Sequence, residues 1–299
     1  MTLASRHYDI IYTGNYTKDT IITPEGTRFG DGGGANFAAA AGARLGLKVA
    51  AVTRLAKEDN HMADVMQKAN VDYFPTFSPN STQITLEYKT DNVDQRSLYV
   101  KSFAGTISPS QLDGLQARAI VVSPSLRGEV EPAFFKTVRS SRGEVWLSAD
   151  VQGFIRVLHN QTLVHEPWPQ MPEVLAEVDI LKADAVEAEY LTGESEIEKA
   201  ARAFASLGPR EIIITHSEGV MIYAEGKYHH YRFHSKSMSG RSGRGDTCVG
   251  SYVAKRLSLP PQEAGKWAAA VTSLKVERMG MFDRPVEEVE RFIQQHYSA

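Results

Sequence analysis

Residues 239–252, SGRSGRGDTCVGSY, place one carboxylate between a glycine-rich turn and a helical pattern. Gly243 and Gly245 precede Asp246, and apolar residues then recur at helical spacing. A glycine-rich turn at the start of a helix exposes backbone N–H groups at the positive end of the helix, which suits an anion such as phosphate. Asp246 at this point suits a base that takes a proton from a hydroxyl while the N–H groups hold the transferred phosphoryl group. The stretch therefore predicts a phosphoryl-transfer site.

The same pattern has two simpler interpretations. Aspartate in a first helical turn often only caps the helix or interacts with its dipole. Arg244-Gly245-Asp246 also matches a cell-adhesion tripeptide, which requires an exposed extracellular loop, and nothing else in the sequence indicates secretion. We therefore treat the tripeptide as a chance match and weigh capping against catalysis.

A second glycine run, residues 30–36 with sequence GDGGGAN, precedes an alanine-rich helical pattern. Its Gly-x-Gly-x-x-Ala spacing formally fits a dinucleotide-binding fingerprint, which needs a buried strand before it and an acidic residue after the next strand. Polar residues 24–28 precede the run instead, and the following strand ends in Arg54, so an NAD enzyme is the weakest candidate. The glycines are better explained by close approach of backbone to a small ligand, with the Asn36 amide as donor and acceptor.

From residue 119 onward, strand patterns alternate with helical patterns. This alternation predicts a largely parallel sheet covered by helices on both faces. Ligands of such sheets bind at the carboxyl ends of strands, where Asp150, Asp184, Thr215 and Asp246 would all fall. Buried strands are predicted over 8–13, 119–122, 145–148, 178–181 and 211–215, and helices over 131–140, 184–191 and 197–207.

Length and composition indicate an ordinary globular protein. Of the 299 residues, 42% are hydrophobic and 23% are charged. The net charge is −3 and the charged residues are scattered along the chain, so neither nucleic acid nor a membrane surface is an expected partner. One cysteine, Cys248, excludes an intrachain disulfide framework and is typical of a reducing compartment. No signal peptide or long apolar run is visible, so we expect a cytoplasmic protein.

The order of these motifs resembles the ribokinase-like, or PfkB, family of carbohydrate kinases over almost the whole length. Residues 243–247, GRGDT, followed by an apolar helix, are similar to the C-terminal GxGD signature of that family. The resemblance implies that Asp246 is the catalytic base and that the backbone N–H groups of Gly243, Arg244 and Gly245 form an anion hole.

On the acceptor side, residues 32–36 resemble the N-terminal glycine signature of the family. The resemblance implies that Gly32, Gly33 and Asn36 contact the sugar. Asp19 falls where the family places a sugar-binding aspartate. Without the resemblance, Asp19 also fits a turn residue and Asn36 a helix cap.

On the donor side, Asp184 with Glu187 resembles the family's Asn-x-x-Glu element, which organises Mg²⁺ and phosphate. Glu187 would then act on the metal indirectly, although the same pair also fits a first-turn dipole interaction. The strand end at Thr215, with Ser217 and Gly219, resembles the nucleotide-binding segment. The resemblance thus implies ATP and Mg²⁺ as cofactors.

Several positions depart from the family pattern. Arg244 replaces a small residue, Arg241 stands where a threonine or proline is usual, and Gly240 stands where an acidic residue is usual. That acidic residue often helps to bind a monovalent cation, so a requirement for potassium is left open. Asp184 stands for asparagine and Ser217 for glycine. Residues 148–152, SADVQ, and the arginine-bearing 240–248, GRSGRGDTC, resemble a divergent branch associated with cyclitol, that is inositol-type, catabolism.

The resemblance implies one ribokinase-like α/β domain over residues 1–299. A small β lid, formed by approximately 18–29 and 84–100, would cover the substrate and could form a homodimer contact. The predicted activity is phosphorylation of a hydroxyl on a small sugar or cyclitol, with myo-inositol as one candidate.

A nucleoside kinase would need an aromatic sandwich, which Phe29, Tyr88 or Tyr99 could provide. The mostly polar segment 84–100 favours a sugar or cyclitol over a base. A non-catalytic ligand sensor would have no use for Asp246.

Overall fold

The computed structural model describes residues 5–88, 97–237 and 239–297. Within these residues the strands form two sheets, and helices cover the larger one. The strands are β1 (Arg6–Thr13), β2 (Thr17–Thr23), β3 (Gly26–Gly32), β4 (Val49–Ala56), β5 (Val71–Ser78), β6 (Thr82–Glu87), β7 (Ser97–Ser102), β8 (Leu115–Val122), β9 (Trp146–Asp150), β10 (Arg156–His159), β11 (Thr162–His165), β12 (Ile180–Asp184), β13 (Glu211–Thr215), β14 (Gly219–Ala224) and β15 (Lys227–Arg232). The helices are α1 (Gly34–Arg44), α2 (His61–Lys68), α3 (Ala133–Arg142), α4 (Gln152–Ile155), α5 (Met171–Leu175), α6 (Ala185–Thr192), α7 (Ile197–Ala205), α8 (Arg244–Arg256), α9 (Pro261–Val276) and α10 (Val286–His296).

The large sheet has nine strands in the order β15-β14-β13-β12-β9-β8-β1-β4-β5. Neighbours from β13 to β5 run parallel, whereas β14 and β15 add an antiparallel edge. The inner strands are continuous apolar runs, such as residues 212–214, because helices cover both faces. Helices α1, α8, α9 and α10 pack on one face, and α3, α5 and α7 on the other. The predicted fold class, a mostly parallel sheet flanked by helices, is confirmed.

The small sheet has six strands in the order β10-β11-β7-β6-β2-β3. Strands β2 and β3 occupy the predicted lid segment 18–29, and β6 and β7, which pair antiparallel, lie at the two ends of the predicted lid segment 84–100. The part of that segment from 89 to 96 lies outside the described residues. The hairpin of β10 and β11 was not predicted, and it extends the sheet through a pairing of β11 with β7.

The inner face of the small sheet is apolar, so the expectation that segment 84–100 would line an apolar slot poorly is wrong. Ile84, Leu86 and Val100 are buried together, with Leu98 and Leu163 packed against them. In a strand, successive side chains point to opposite faces, so the polar residues that alternate with Ile84 and Leu86, namely Gln83, Thr85 and Glu87, lie on the other face. The polar composition of the whole segment concealed this alternation.

Helices α1 and α8 cross with their backbones almost in contact. A Cβ atom on Gly250 of α8 would lie 2.6 Å from the Ala38 Cα of α1. The Tyr12 hydroxyl of β1 also donates to the Gly250 carbonyl oxygen at 3.1 Å. At the start of the two helices, a Cβ atom on Gly34 would lie 2.5 Å from Asp246 Oδ1. The crossing therefore brings the two glycine-rich turns side by side.

Two surface features bear on partners. Among the described residues, no helix is both long and apolar enough to cross a lipid bilayer. Phe29, on the edge strand β3 of the small sheet, is 80% exposed. The homodimer contact expected through this sheet stays a prediction.

The α1–α8 crossing predicts that Gly250→Val destabilises the protein. The added carbons would force the two helices apart, and such overpacking costs about 1–3 kcal/mol in the free energy of unfolding. Urea unfolding would measure this loss. Gln262→Val, which introduces the same residue at an exposed position of α9, serves as the control for helix propensity. Equal stability of the two variants would contradict the close crossing.

Candidate active site

A cleft of about 530 Å³ lies between the carboxyl ends of the central strands and the inner face of the small sheet. Both predicted glycine-rich turns contribute to it, through Gly33 and Gly34 on one side and residues 241–246 on the other. The small sheet contributes the apolar side chains Ile84, Leu86, Leu98 and Leu163. The position agrees with the rule that ligands of open α/β sheets bind at the carboxyl ends of the strands.

Asp246 lies in the first turn of α8 and faces the cleft. Its Oδ1 atom is enclosed and has no hydrogen-bond partner among the described residues. Burial raises the pKa of the Asp246 carboxyl above its ordinary value of 3.8, while Lys182 and Arg156 act in the opposite direction. The site therefore holds an acceptor oxygen that a substrate hydroxyl would satisfy.

The turn before α8 is shaped by Gly243, which has φ 75°. A Cβ atom at this residue would lie 2.3 Å from the Phe37 ring, so only glycine fits both the conformation and the contact. The Arg244 N–H donates to the Arg241 carbonyl oxygen at 3.2 Å. Of the three predicted anion-hole N–H groups, that of Arg244 is thus already bonded within the turn, while its side chain lines the cleft.

A cluster of buried charges lies directly behind this turn. Lys182 Nζ is 3.0 Å from Asp150 Oδ2 and 3.8 Å from Glu187 Oε2. Arg156 lies 3.3 Å from the other Glu187 oxygen. Burial raises the pKa of Asp150 to about 7, against the opposing charge of Lys182. The parallel pairing of β9 with β12 places Asp150 and Lys182 in register, so the sheet itself builds the pair.

Gly245 allows the Lys182 ammonium group to lie against the turn that precedes α8. A Cβ atom at Gly245 would lie 2.9 Å from Lys182 Nζ. The ammonium group therefore lies at the helix end, where an anion would also feel the helix dipole.

Asp184 and Glu187 form a reciprocal cap at the start of α6. The Glu187 N–H donates to Asp184 Oδ1, and the Asp184 N–H donates to Glu187 Oε2, both at 2.8 Å. Both residues also line the cleft. Within the described ranges, no group of three or more Asp, Glu, His or Cys side chains is arranged to hold a metal ion. Asp184 and Glu187 are the residues that would hold Mg²⁺, as an ion that keeps most of its waters and would help to neutralise donor phosphates.

On the acceptor side, Asp19 and Thr17 of β2 line the cleft with Gly33. A Cβ atom at Gly32 would lie 2.4 Å from Asp19 Oδ2, so glycine lets β3 pack against that carboxylate. The Asn36 amide is buried and donates to the Gly32 carbonyl oxygen at 2.9 Å. Gly32 and Asn36 are not among the cleft-lining residues; in this structure they shape the turn, and their predicted substrate contacts stay predictions.

On the donor side, Thr215 and Ser217 line the cleft together with His216. Gly219 does not line the cleft: it begins β14, and a Cβ atom there would lie 2.1 Å from the Tyr231 carbonyl oxygen. The third predicted nucleotide contact therefore fits a packing role.

Sequence reasoning missed several side chains that the cleft brings together, namely Thr17, Gln152, Arg156, His165 and Lys182. Arg156 and His165 belong to the unpredicted hairpin of β10 and β11. Lys182 left a signal, because a lysine inside an apolar strand pattern needs a buried counter-charge. The aromatic sandwich considered for a base is not assembled in the cleft: Phe29 is exposed, and neither Tyr88 nor Tyr99 lines it.

The buried pair predicts that Lys182→Met destabilises the protein in a pH-dependent way. Removing one partner of a buried ion pair costs about 3–5 kcal/mol. Without Lys182, the pKa of Asp150 would rise further above its value of about 7, so the folded protein would bind a proton that the unfolded chain releases. Unfolding free energy should therefore decrease as pH rises through this pKa.

Urea unfolding below and above that pKa measures the effect. Lys199→Met, at an exposed lysine of α7, is the control that should change little at either pH. A Lys182→Met variant as stable as this control would show that the pair contributes nothing.

Comparison with known proteins agrees with the geometry. The sequence matches the pfkB family of carbohydrate kinases over residues 4–287. A cytidine kinase from Thermococcus kodakarensis is 25% identical over 261 residues, which is 82% of this chain and 87% of that protein. A sulfate complex of a pyrophosphate-dependent kinase in the ribokinase family is 31% identical with a TM-score of 0.88, covering 94% of this chain and 99% of the other.

A second solved structure is a pyrophosphate-dependent myo-inositol-1 kinase that two substitutions convert into a myo-inositol-3 kinase. It is 30% identical with a TM-score of 0.87 and covers 97% of this chain and all of the other. The family match spans far more than half of the chain, and the structural matches span nearly all of it. The chain belongs to the PfkB family of carbohydrate kinases and is a phosphotransferase of the ribokinase type.

Proposed function

We propose that the chain transfers a phosphoryl group from pyrophosphate to a hydroxyl of a cyclitol of the myo-inositol type. Asp246 is the base that accepts the hydroxyl proton, and the N–H groups of Gly243 and Gly245 hold the phosphoryl oxygens. The single observation that carries the proposal is the enclosed, unpartnered Oδ1 of Asp246 facing the cleft beside the start of α8. ATP, the donor implied by the family resemblance, stays the alternative.

The acceptor half of the cleft suits a ring with hydroxyls around its edge. Asp246, together with Thr17 and Asp19 of β2, provides polar groups, whereas β6, β7 and β11 of the same small sheet provide an apolar wall. A cyclitol presents C–H groups on its faces and hydroxyls at its rim. The C–H groups would pack on the apolar wall, and the hydroxyls would bond to the polar groups. A site that hydrogen-bonds hydroxyls rejects analogues without them, since its own polar groups are then left unpaired.

The donor half suits a small and strongly charged phosphate compound. Arg156, Lys182, Arg241 and Arg244 all line the cleft. Among its described lining residues, Phe37 is the one Phe, Tyr or Trp, and it lies under Gly243. Two structural neighbours at 30–31% identity are pyrophosphate-dependent, which supports pyrophosphate over ATP. Mg²⁺ near Asp184 and Glu187 would supply further neutralisation of the donor phosphates.

A nucleoside kinase is the second candidate function. The cytidine kinase relative and the apolar face of the small sheet favour it, because a nucleobase needs an apolar slot. The shortage of aromatic side chains in the cleft weakens it. A ligand sensor without activity would not need an enclosed carboxylate at the helix end, where desolvation is costly.

A donor and acceptor screen tests the proposal. Pyrophosphate and ATP would each be combined with myo-inositol, ribose, fructose, 2-keto-3-deoxygluconate, adenosine and cytidine, and phosphorylated product would be measured. We expect the highest kcat/KM for pyrophosphate with myo-inositol. Efficient turnover of cytidine or adenosine alone would establish the nucleoside kinase instead, and activity with ATP alone would overturn the donor assignment.

The Asp246→Asn variant lacks the proposed base, so we expect its kcat to fall by about 10²–10⁴-fold, which is the contribution of a positioned general base. Binding of myo-inositol, measured by calorimetry, should persist because asparagine keeps the size of the side chain. Asp64→Asn, at an exposed position of α2, is the matched control and should behave as wild type. Near-normal kcat of Asp246→Asn on the preferred substrates would exclude this residue as the base.

Arg244 should contact the donor rather than stabilise the fold. Its side chain lines the cleft two residues before Asp246, and a charge-assisted hydrogen bond is worth about 1.5–3 kcal/mol. Arg244→Ala should therefore raise KM for the donor by about 10- to 100-fold at an unchanged melting temperature. Arg232→Ala, at an exposed arginine, is the control. Normal kinetics with a large loss of melting temperature would indicate a structural ion pair.

A further inference from the structure

Lys275 is a buried lysine in the last turn of α9 that contacts the base of the anion-hole turn. Its ammonium group donates to the Gly240 carbonyl oxygen at 2.5 Å and also to the Ser242 carbonyl oxygen. The Phe37 ring lies beside it, with its centroid 4.9 Å from Nζ. The proposed reaction gives Lys275 no direct contact with either substrate.

The turn of residues 240–242 is folded against the end of α9. The Gly240 N–H donates to the Val276 carbonyl oxygen at 2.8 Å. A Cβ atom at Gly240 would lie 1.5 Å from the Arg278 carbonyl oxygen, so no other residue could approach this closely. The Arg241 carbonyl oxygen accepts from the Arg244 N–H. All three carbonyl groups of the turn thus have donors within the chain, and one ammonium group serves two of them.

Converging carbonyl oxygens repel one another unless a cation lies between them. Lys275 supplies that charge at the carboxyl end of α9, where the helix dipole also favours a cation. Burial lowers the pKa of the Lys275 amine to about 8, while Asp246 acts in the opposite direction, so the amine stays largely protonated at neutral pH. The charge is therefore available in the working enzyme.

We propose that Lys275 is a positioning residue: its ammonium group acts as a built-in monovalent cation that holds the 240–242 turn so that the N–H groups of Gly243 and Gly245 face Asp246. This inference rests on the proposed role of that turn in holding the transferred phosphoryl group. It predicts that the wild-type enzyme needs no added potassium or ammonium ion. It also explains why this chain can lack an acidic residue in the turn, since the cation is covalently attached.

A matched pair of variants separates the charge of Lys275 from its volume. Lys275→Ala removes the charge and leaves space for a small ion, whereas Lys275→Met removes the charge and fills the space. Both should lower kcat by about 10- to 10²-fold, because a displaced anion hole loses transition-state stabilisation. Ammonium or potassium chloride should restore activity to Lys275→Ala alone. Tetramethylammonium chloride, whose cation is too large, controls for ionic strength.

Two further measurements serve as controls. Wild type should respond equally to sodium, potassium and ammonium chloride, and Lys266→Ala, elsewhere on α9, should match it. A folded, fully active Lys275→Met variant, by melting temperature and kcat, would overturn the proposal. Loss of activity in Lys275→Ala without rescue by either small cation would also overturn it. Failure of the proposed function would appear differently, as a wild-type enzyme that does not transfer phosphate from pyrophosphate to myo-inositol.

Discussion

The site depends on one electrostatic constraint: a carboxylate must stay ionised while it is partly removed from water. Burial alone raises the pKa of Asp246, and desolvation of an unpaired charge is costly. Lys182 and Arg156 oppose that rise, and Lys275 adds a third nearby cation. The start of α8 contributes its dipole. An enclosed carboxylate at this position is therefore stabilised by the cationic groups that surround it.

The fold supplies those groups from distant parts of the chain. In-register pairing of β9 with β12 sets Lys182 beside Asp150, and the capped start of α6 holds Glu187 against the same lysine. The close crossing of α1 and α8 brings Gly34 against Asp246. The glycines at these contacts have neighbours so close that a larger side chain would not fit. They therefore matter because they lack a side chain as much as because of their backbone conformation.

Much of this arrangement could be predicted from local patterns. The alternation of strands and helices predicted the large sheet, and Asp150, Asp184 and Thr215 end β9, β12 and β13 as expected. Asp246 lies instead in the first turn of α8, where it faces the same cleft. The alternative of a first-turn dipole pair placed Asp184 and Glu187 at a helix start, and they do lie there, where they cap α6. These features depend on residues that are close in sequence, so their spacing can be recognised in the sequence itself.

The remaining features depend on long-range contacts or on short elements. Strands β10 and β11 have four residues each, and their turn uses Asn160 and Gln161 with φ of 45° and 69°, without the glycine that usually marks a hairpin. Lys275 contacts carbonyl groups 33 and 35 residues away, which no periodicity reveals. The apolar face of the small sheet was not predicted because the composition of segment 84–100 combines residues of an apolar face with residues of a polar face.

A crystal structure of Asp246→Asn with myo-inositol and pyrophosphate bound would show directly what residue 246 contacts. We expect one ring hydroxyl oxygen within about 3.2 Å of the side chain at residue 246, the reach of a general base. We also expect the nearer phosphate group against the N–H groups of Gly243 and Gly245. A cyclitol bound with every hydroxyl out of reach of that side chain, or pyrophosphate bound away from the turn, would contradict these expectations.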